Sequence, residues 1–130
     1  MDKNMLNISA IETFFNELLD EKVSSNTYFT TLPTAFNTKP NDMVLVDCGN
    51  VIHDLDAFGR GTVMIWLYAK PMSSGKKNVS LLSKMEKSLN EAIAANTNGH
   101  YVVTRLGEFA DYDSDAQMHC NIVQLQLLIA

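Results

Sequence analysis

At 130 residues, with 46% hydrophobic and 19% charged side chains, the chain has the size and composition of one globular unit, and neither a disordered tail nor a membrane protein fits it. A net charge of −5 argues against a nucleic-acid-binding module, which would carry a basic face, and no lysine run exceeds Lys76-Lys77. Two cysteines, Cys48 and Cys120, are too few for a disulfide framework and suggest a reducing compartment. They are expected as small apolar residues in strands, with a bridge or a metal role as the alternative. No basic segment followed by an apolar run opens the chain, and no stretch approaches the roughly 18 apolar residues of a membrane span, which predicts a soluble protein made in a cytoplasm.

In chain order, residues 4–22 read as a helix. Met5, Ile8, Ile11, Phe15, Leu18 and Leu19 recur at spacings of three and four, and Phe14 widens the stripe. Either Asn4 caps it, or Ser9 with Glu12 forms a capping box. Residues 24–42 are a polar connector broken by Pro33 and Pro40, inside which residues 27–32 predict a short edge strand or an extended arm. Connectors of this length tend to be functional or ordered by a partner.

Residues 43–55 predict a long strand with a bulge or bend at Gly49-Asn50. A loop over 54–60 then returns the chain in a hairpin to the run 61–69, the densest in β-branched and aromatic residues. Its alternation sends Val63, Ile65, Leu67 and Ala69 one way and Met64, Trp66 and Tyr68 the other, so both faces are apolar. Two helices cover one face of a small sheet, and a partner chain is the simplest cover for the other.

The loop 70–78 has the composition of a solvated tip. A second helix is predicted over 79–96, with Val79, Leu82, Met85, Leu89, Ala92 and Ile93 on its stripe and Asn98-Gly99 ending it. A third strand over 100–106 and an acidic loop over 107–116 follow. The closing strand, 117–129, would span about 43 Å. Its apolar parity switches from Met118, Cys120 and Ile122 to Val123, Leu125, Leu127 and Ile129, which predicts a bulge near Ile122-Val123. The fold class that results is α+β: one domain over 1–130, with a mostly antiparallel sheet of about four strands, two helices on one face, and the order α-β-β-α-β-β.

The chemistry-bearing residues do not converge on a site. Asp111-Tyr112-Asp113-Ser114-Asp115 resembles the start of a calcium loop, but the sixth and twelfth positions hold Ala116 and Ile122 in place of Gly and Glu, so a solvated or partner-facing acidic tip is expected. His53, Asp54 and Asp56 cluster, while His100, His119 and Cys120 are scattered, and adjacent strand residues such as His119 and Cys120 face opposite ways. Gly59-Arg60-Gly61 lacks the further glycines of a phosphate loop, and no serine sits on a nucleophile elbow. No catalytic, cofactor-binding or metal residue is assigned, and no cofactor is expected. Arg105, on a strand rich in apolar residues, needs a carboxylate partner within the chain or on a neighbour; Arg60 is the other structural arginine.

The element order resembles that of the tail-terminator, or tail-completion, proteins of long-tailed bacteriophages. The likeness runs from Met5 to Ile129: the amphipathic first helix, the extended segment 27–32, the strand from Met43, the run Gly59-Arg60-Gly61-Thr62-Val63-Met64-Ile65-Trp66-Leu67-Tyr68-Ala69, the lysine-bearing loop, a helix and a closing hairpin. The resemblance implies a non-enzymatic virion protein of the tail or neck, assembled in the bacterial cytoplasm. It would form a homo-oligomeric ring, a hexamer, that caps the tail tube and meets tube and head-side connector proteins. DNA would pass through without specific binding, and the acidic segment 107–116 would line the channel or meet the neighbouring ring. Two alternatives stand beside it. One is a dimeric ligand-binding or regulatory α+β domain with a pocket lined by Trp66, Tyr68 and Tyr101; the other is a different head-tail connector component.

Overall fold

The computed structural model describes residues 7–36, 38–53 and 59–129. The first helix, α1 (Ile8–Leu19), starts at Asn7, whose side-chain carbonyl accepts the Ser9 N–H at 2.8 Å. That bond satisfies one of the amides a helix start leaves unpaired. Neither expected cap is used: Asn4 lies outside the described residues, and Ser9 and Glu12 sit within the helix. The apolar spacing holds, with Ile11, Phe14, Phe15, Leu18 and Leu19 buried. The helix stops three residues before Lys22, and Glu21 in the turn that follows takes a φ of 62°.

Five strands form one sheet in the order β1-β2-β3-β5-β4: β1 (Thr27–Phe29), β2 (Asp42–His53), β3 (Gly59–Ala69), β4 (Tyr101–Asp113) and β5 (Met118–Ile129). The fold is α+β, as expected, but the four-stranded antiparallel sheet is corrected to a mixed sheet of five. The addition is β1, which pairs parallel to β2 through Thr27↔Val44, Tyr28↔Leu45 and Phe29↔Val46. A parallel neighbour obliges the chain to travel back to the strand's starting end before the next strand begins. Residues 30–36 and 38–41 lie in that return, a strap without regular structure. The strap leaves β1 through a sharp turn at Thr30 (φ 70°), across which the Thr31 N–H donates to the Phe29 carbonyl at 2.8 Å.

The β2–β3 hairpin carries the predicted bulge, with a register shift between Asp47 and Asn50, and closes through His53↔Gly59. Leu55 and the rest of the connecting turn at 54–58 lie outside the described residues. The bulge predicted at Ile122-Val123 is absent. β5 pairs with β3 in unbroken register from His119 to Ile129, and the shift falls instead in β4, between Arg105 and Gly107. The parity switch has another cause: the two halves of β5 are buried on opposite faces. Val123, Leu125, Leu127 and Ile129 join Val44, Val46, Val63, Ile65, Leu67 and the stripes of both helices in the main core. Met118, Cys120 and Ile122 join Met43, Leu45 and Tyr68 in a second cluster on the far face.

The second helix, α2 (Val79–Ala94), is capped by Asn78, whose side chain accepts the Leu81 N–H. Its buried stripe is Leu82, Met85, Leu89 and Ala92; Val79, expected on it, is 60% exposed at the first turn. The expected Gly99 ending is replaced by an asparagine turn. The Asn96 side chain accepts the Asn98 N–H and the Asn98 side chain accepts the His100 N–H. Both helices lie on one face, as predicted, so whatever covers the far face must come from elsewhere.

Candidate functional site

The acidic motif is a strand end and a turn. β4 runs through Asp113, so the expected loop 107–116 shrinks to a hairpin turn at 114–117. Asp113 organises that turn: Oδ1 accepts the N–H groups of Asp115 and Ala116, both at 3.0 Å, and Oδ2 accepts the Tyr68 hydroxyl at 3.0 Å. The spacing that resembled a calcium loop is thus a side-chain-closed turn, its middle carboxylate, Asp113, already engaged by donors of its own chain. Burial, reinforced by that hydrogen bond to Asp113, pushes the Tyr68 hydroxyl well above the ordinary tyrosine range.

The other candidates are dispersed by the register. Gly59-Arg60-Gly61 is not a loop at all; it lies inside β3, paired to β2 on one side and β5 on the other. His100 precedes the end of β4 that pairs with Ile129, whereas His119 pairs with Tyr112 at the opposite end, its ring edge-on to the tyrosine with centroids 4.9 Å apart. Asp54 and Asp56 lie outside the described residues. Among the described residues no group of three or more His, Cys, Asp or Glu could hold a metal ion. Cys48 belongs to the main core and Cys120 to the far-face cluster, so the sheet separates them and both are free thiols. The pocket of Trp66, Tyr68 and Tyr101 is also corrected. Trp66 and Tyr68 face the far side, while Tyr101 lies in the main core, stacked on Phe14 at 4.6 Å.

Arg105 finds its partners within the chain. It pairs across from Leu125 on the helix face, and there its guanidinium reaches α2, meeting Glu86 at 3.3 Å and the Asn90 side chain. Glu108, three residues on, closes the group at 2.8 Å.

What the register does assemble is a surface on the far face. One row crosses all five strands: Tyr28, Leu45, Trp66, Ile122 and Phe109. At one end of the sheet the strap covers this face, with Leu32 and Phe36 packed against the second cluster. The cover is incomplete, because a cleft of about 690 Å³ remains between strap and hairpin turn. Leu45 and Tyr68 line it, with Leu32 and Phe36 on the strap side and Asp113 and Asp115 on the turn side. Lys39 spans the two sides, its ammonium donating to the Gln117 carbonyl at 3.0 Å. Towards β4 the face is open: Phe109 is 53% exposed, Val102 49% and its row neighbour Leu128 36%. Sequence patterning found the doubly apolar β3 but not the strap, whose isolated Leu32 and Phe36 show no period.

The chain matches no protein-family model, and comparison with curated proteins finds no match.

Proposed function

We propose that this chain is a non-enzymatic structural subunit that closes into a ring and acts as the tail terminators of long-tailed bacteriophages do, capping a tail tube and joining it to the head-side connector. The observation that carries the reading is the open part of the far face together with the edge strand β4. Val102, Phe109 and Leu128 on that face, with Leu106 at the β4 bulge, are between 36% and 53% exposed in the isolated chain. A cluster of large apolar side chains left in water marks a surface meant for a protein partner. In a ring each subunit offers two different surfaces that repeat until the circle closes, and its natural partners are copies of itself plus the tube and connector proteins stacked above and below. A net charge of −5 suits a ring through which DNA passes without sticking. On this reading the protein belongs to the tail or neck of a virion.

The test is light scattering behind a sizing column at rising protein concentration, with negative-stain images of the largest species. Closed rings with a central hole of tail-tube width support the reading. A two-fold dimer that never grows, or a monomer at every concentration that also fails to cap tail tubes, refutes it.

A further inference from the structure

The geometry points to the loop between β3 and α2 of one subunit as the occupant of the far-face cleft of the next. This inference rests on the ring reading and names the contact that would build it.

The loop and the cleft complement each other in chemistry. Residues 70–78 carry Lys70, Lys76 and Lys77, and among them Met72 is 53% exposed. The loop is held in shape from within: the Gly75 N–H donates to the Met72 carbonyl at 2.8 Å, and the Met72 N–H donates to the Lys76 carbonyl at 2.9 Å. Gly75 makes that closure possible with a φ of +83°, a conformation other residues adopt with strain. A preformed loop loses little freedom on docking. It presents an apolar anchor flanked by cations.

The cleft is the reverse. Leu32, Phe36, Leu45 and Tyr68 offer an apolar lining, and the rim carries Asp113 and Asp115. The Asp115 side chain has no partner among the described residues; only its backbone N–H is engaged. Lys39, the one cation on the rim among the described residues, is already committed to the Gln117 carbonyl. An unbranched thioether fills an irregular apolar space well, and lysines beside it would meet the carboxylates in register.

Placement decides whose loop it is. The loop leaves β3 at Ala69, in the helix-face core, and leads into α2. Lys70, Pro71 and Gly75 line a neighbouring hollow with Tyr112 and His119 of their own subunit, and Lys39 and Gln117, hydrogen-bonded to each other, stand between that hollow and the cleft. The cleft is at the same end of the sheet but on the opposite face. A loop on one face and its receptor on the other make a head-to-tail contact, which repeats around a ring without leaving a loop or a cleft empty. The acidic tip then belongs to the joint between subunits and not to the channel wall.

A Met72→Cys/Leu32→Cys variant treated with a short bis-maleimide tests this in the assembled protein. Cys48 and Cys120 give no background, since both are 2% exposed and burial pushes their thiols up to about 12 and 11. The expected result is a covalent ladder that ends at the ring's subunit number, with each single-cysteine variant remaining at monomer mass. Met72→Asp, which alters only an exposed side chain, should raise the concentration needed for assembly by about tenfold or more. Asp115→Lys should also weaken assembly, and Lys76→Glu with Lys77→Glu in the same chain should restore it. Rings that form with no ladder, or Met72→Asp rings that form at the parental concentration, overturn the contact and leave the ring reading standing. A link made within one monomer overturns it as well. Absence of both rings and ladder refutes the two together.

Discussion

The two buried thiols make the folded state sensitive to alkali, and the effect can be worked from their surroundings. Cys48 lies in the main core, where burial, then Glu12 and Asp47, push its thiol from 9.0 to about 12. Cys120, on the far face, is pushed from 9.0 to about 11 by burial, then by Asp111 and Asp113, against a small opposing effect of Lys77. Both groups hold their proton more tightly when folded. Their contribution is therefore complete below pH 9 and lost as the pH rises, because the unfolded chain releases thiol protons that the folded chain retains. At pH 10 the two thiols together weaken the fold by about 3 kcal/mol relative to neutral pH. Urea unfolding followed by far-ultraviolet circular dichroism at pH 7, 8, 9 and 10 measures this on the parent and on Cys48→Ala/Cys120→Ala. The variant starts lower, having lost packed volume, but its stability falls less steeply above pH 8. Every other ionisable group is shared by the two proteins, so the difference in slope isolates the thiols. Parallel pH profiles for the two proteins would refute the reasoning.

Three further outcomes follow from particular contacts. Asp113→Ala removes one acceptor from the Tyr68 hydroxyl and two from backbone amides, so it should destabilise by about 2 kcal/mol in chemical denaturation. Asp115→Ala stays within about 0.5 kcal/mol, and calcium leaves the parent's melting temperature unchanged. Arg105→Ala should cost about 1 kcal/mol, less at high salt, and Arg105→Lys should recover only part of it because one ammonium cannot reproduce the guanidinium's reach to Glu86, Asn90 and Glu108. Thr30→Gly should stabilise by up to about 1 kcal/mol, since a β-branched residue at a φ of 70° is strained by more than glycine's extra freedom in the unfolded chain; a lower urea midpoint would contradict it.

Periodicity made the helices and long strands legible. The spacing of Ile11, Phe15, Leu18 and Leu19 located α1, and Leu82, Met85 and Leu89 located α2, because a helix must bury a stripe. Their ends were not legible, since Asn7, Asn78 and Asn98 act through one or two side-chain hydrogen bonds that many nearby asparagines and serines also offer. In β5 the parity was read correctly and explained wrongly. Alternation reports which face is buried at each point, and a strand whose two halves are buried on opposite faces mimics a bulge. The real bulge, at Leu106, sits where β4 is exposed and leaves no apolar trace. The segment 27–32 was legible as a short edge strand or an extended arm, and β1 lies within it, but its parallel pairing and the strap it launches were not. A parallel pairing is fixed by where the chain must return, which local composition does not encode. With the strap went the cleft, since one side of it is strap.

The bulge in β4 also bears on how the exposed surface would be covered. As an edge strand of thirteen residues, β4 has one row of backbone groups with no strand beside it among the described residues, the ordinary invitation to strand addition. The register shift between Arg105 and Gly107 breaks that row near its middle and bends it. Arg105, at the break, is drawn towards α2, and Glu108, Asp111 and Asp113 add negative charge along the second half. A second β4 laid antiparallel beside the first would lose its ladder at the bulge of each strand. The apolar side chains remain: Val102 and Phe109 stand on the far face beside Leu128 and Ile122, available to a partner that packs against the face and not one that extends the sheet. A two-fold dimer built by joining edges is thereby disfavoured, and packing of one subunit's far face against a different surface of the next is favoured. That is the kind of contact a head-to-tail ring repeats.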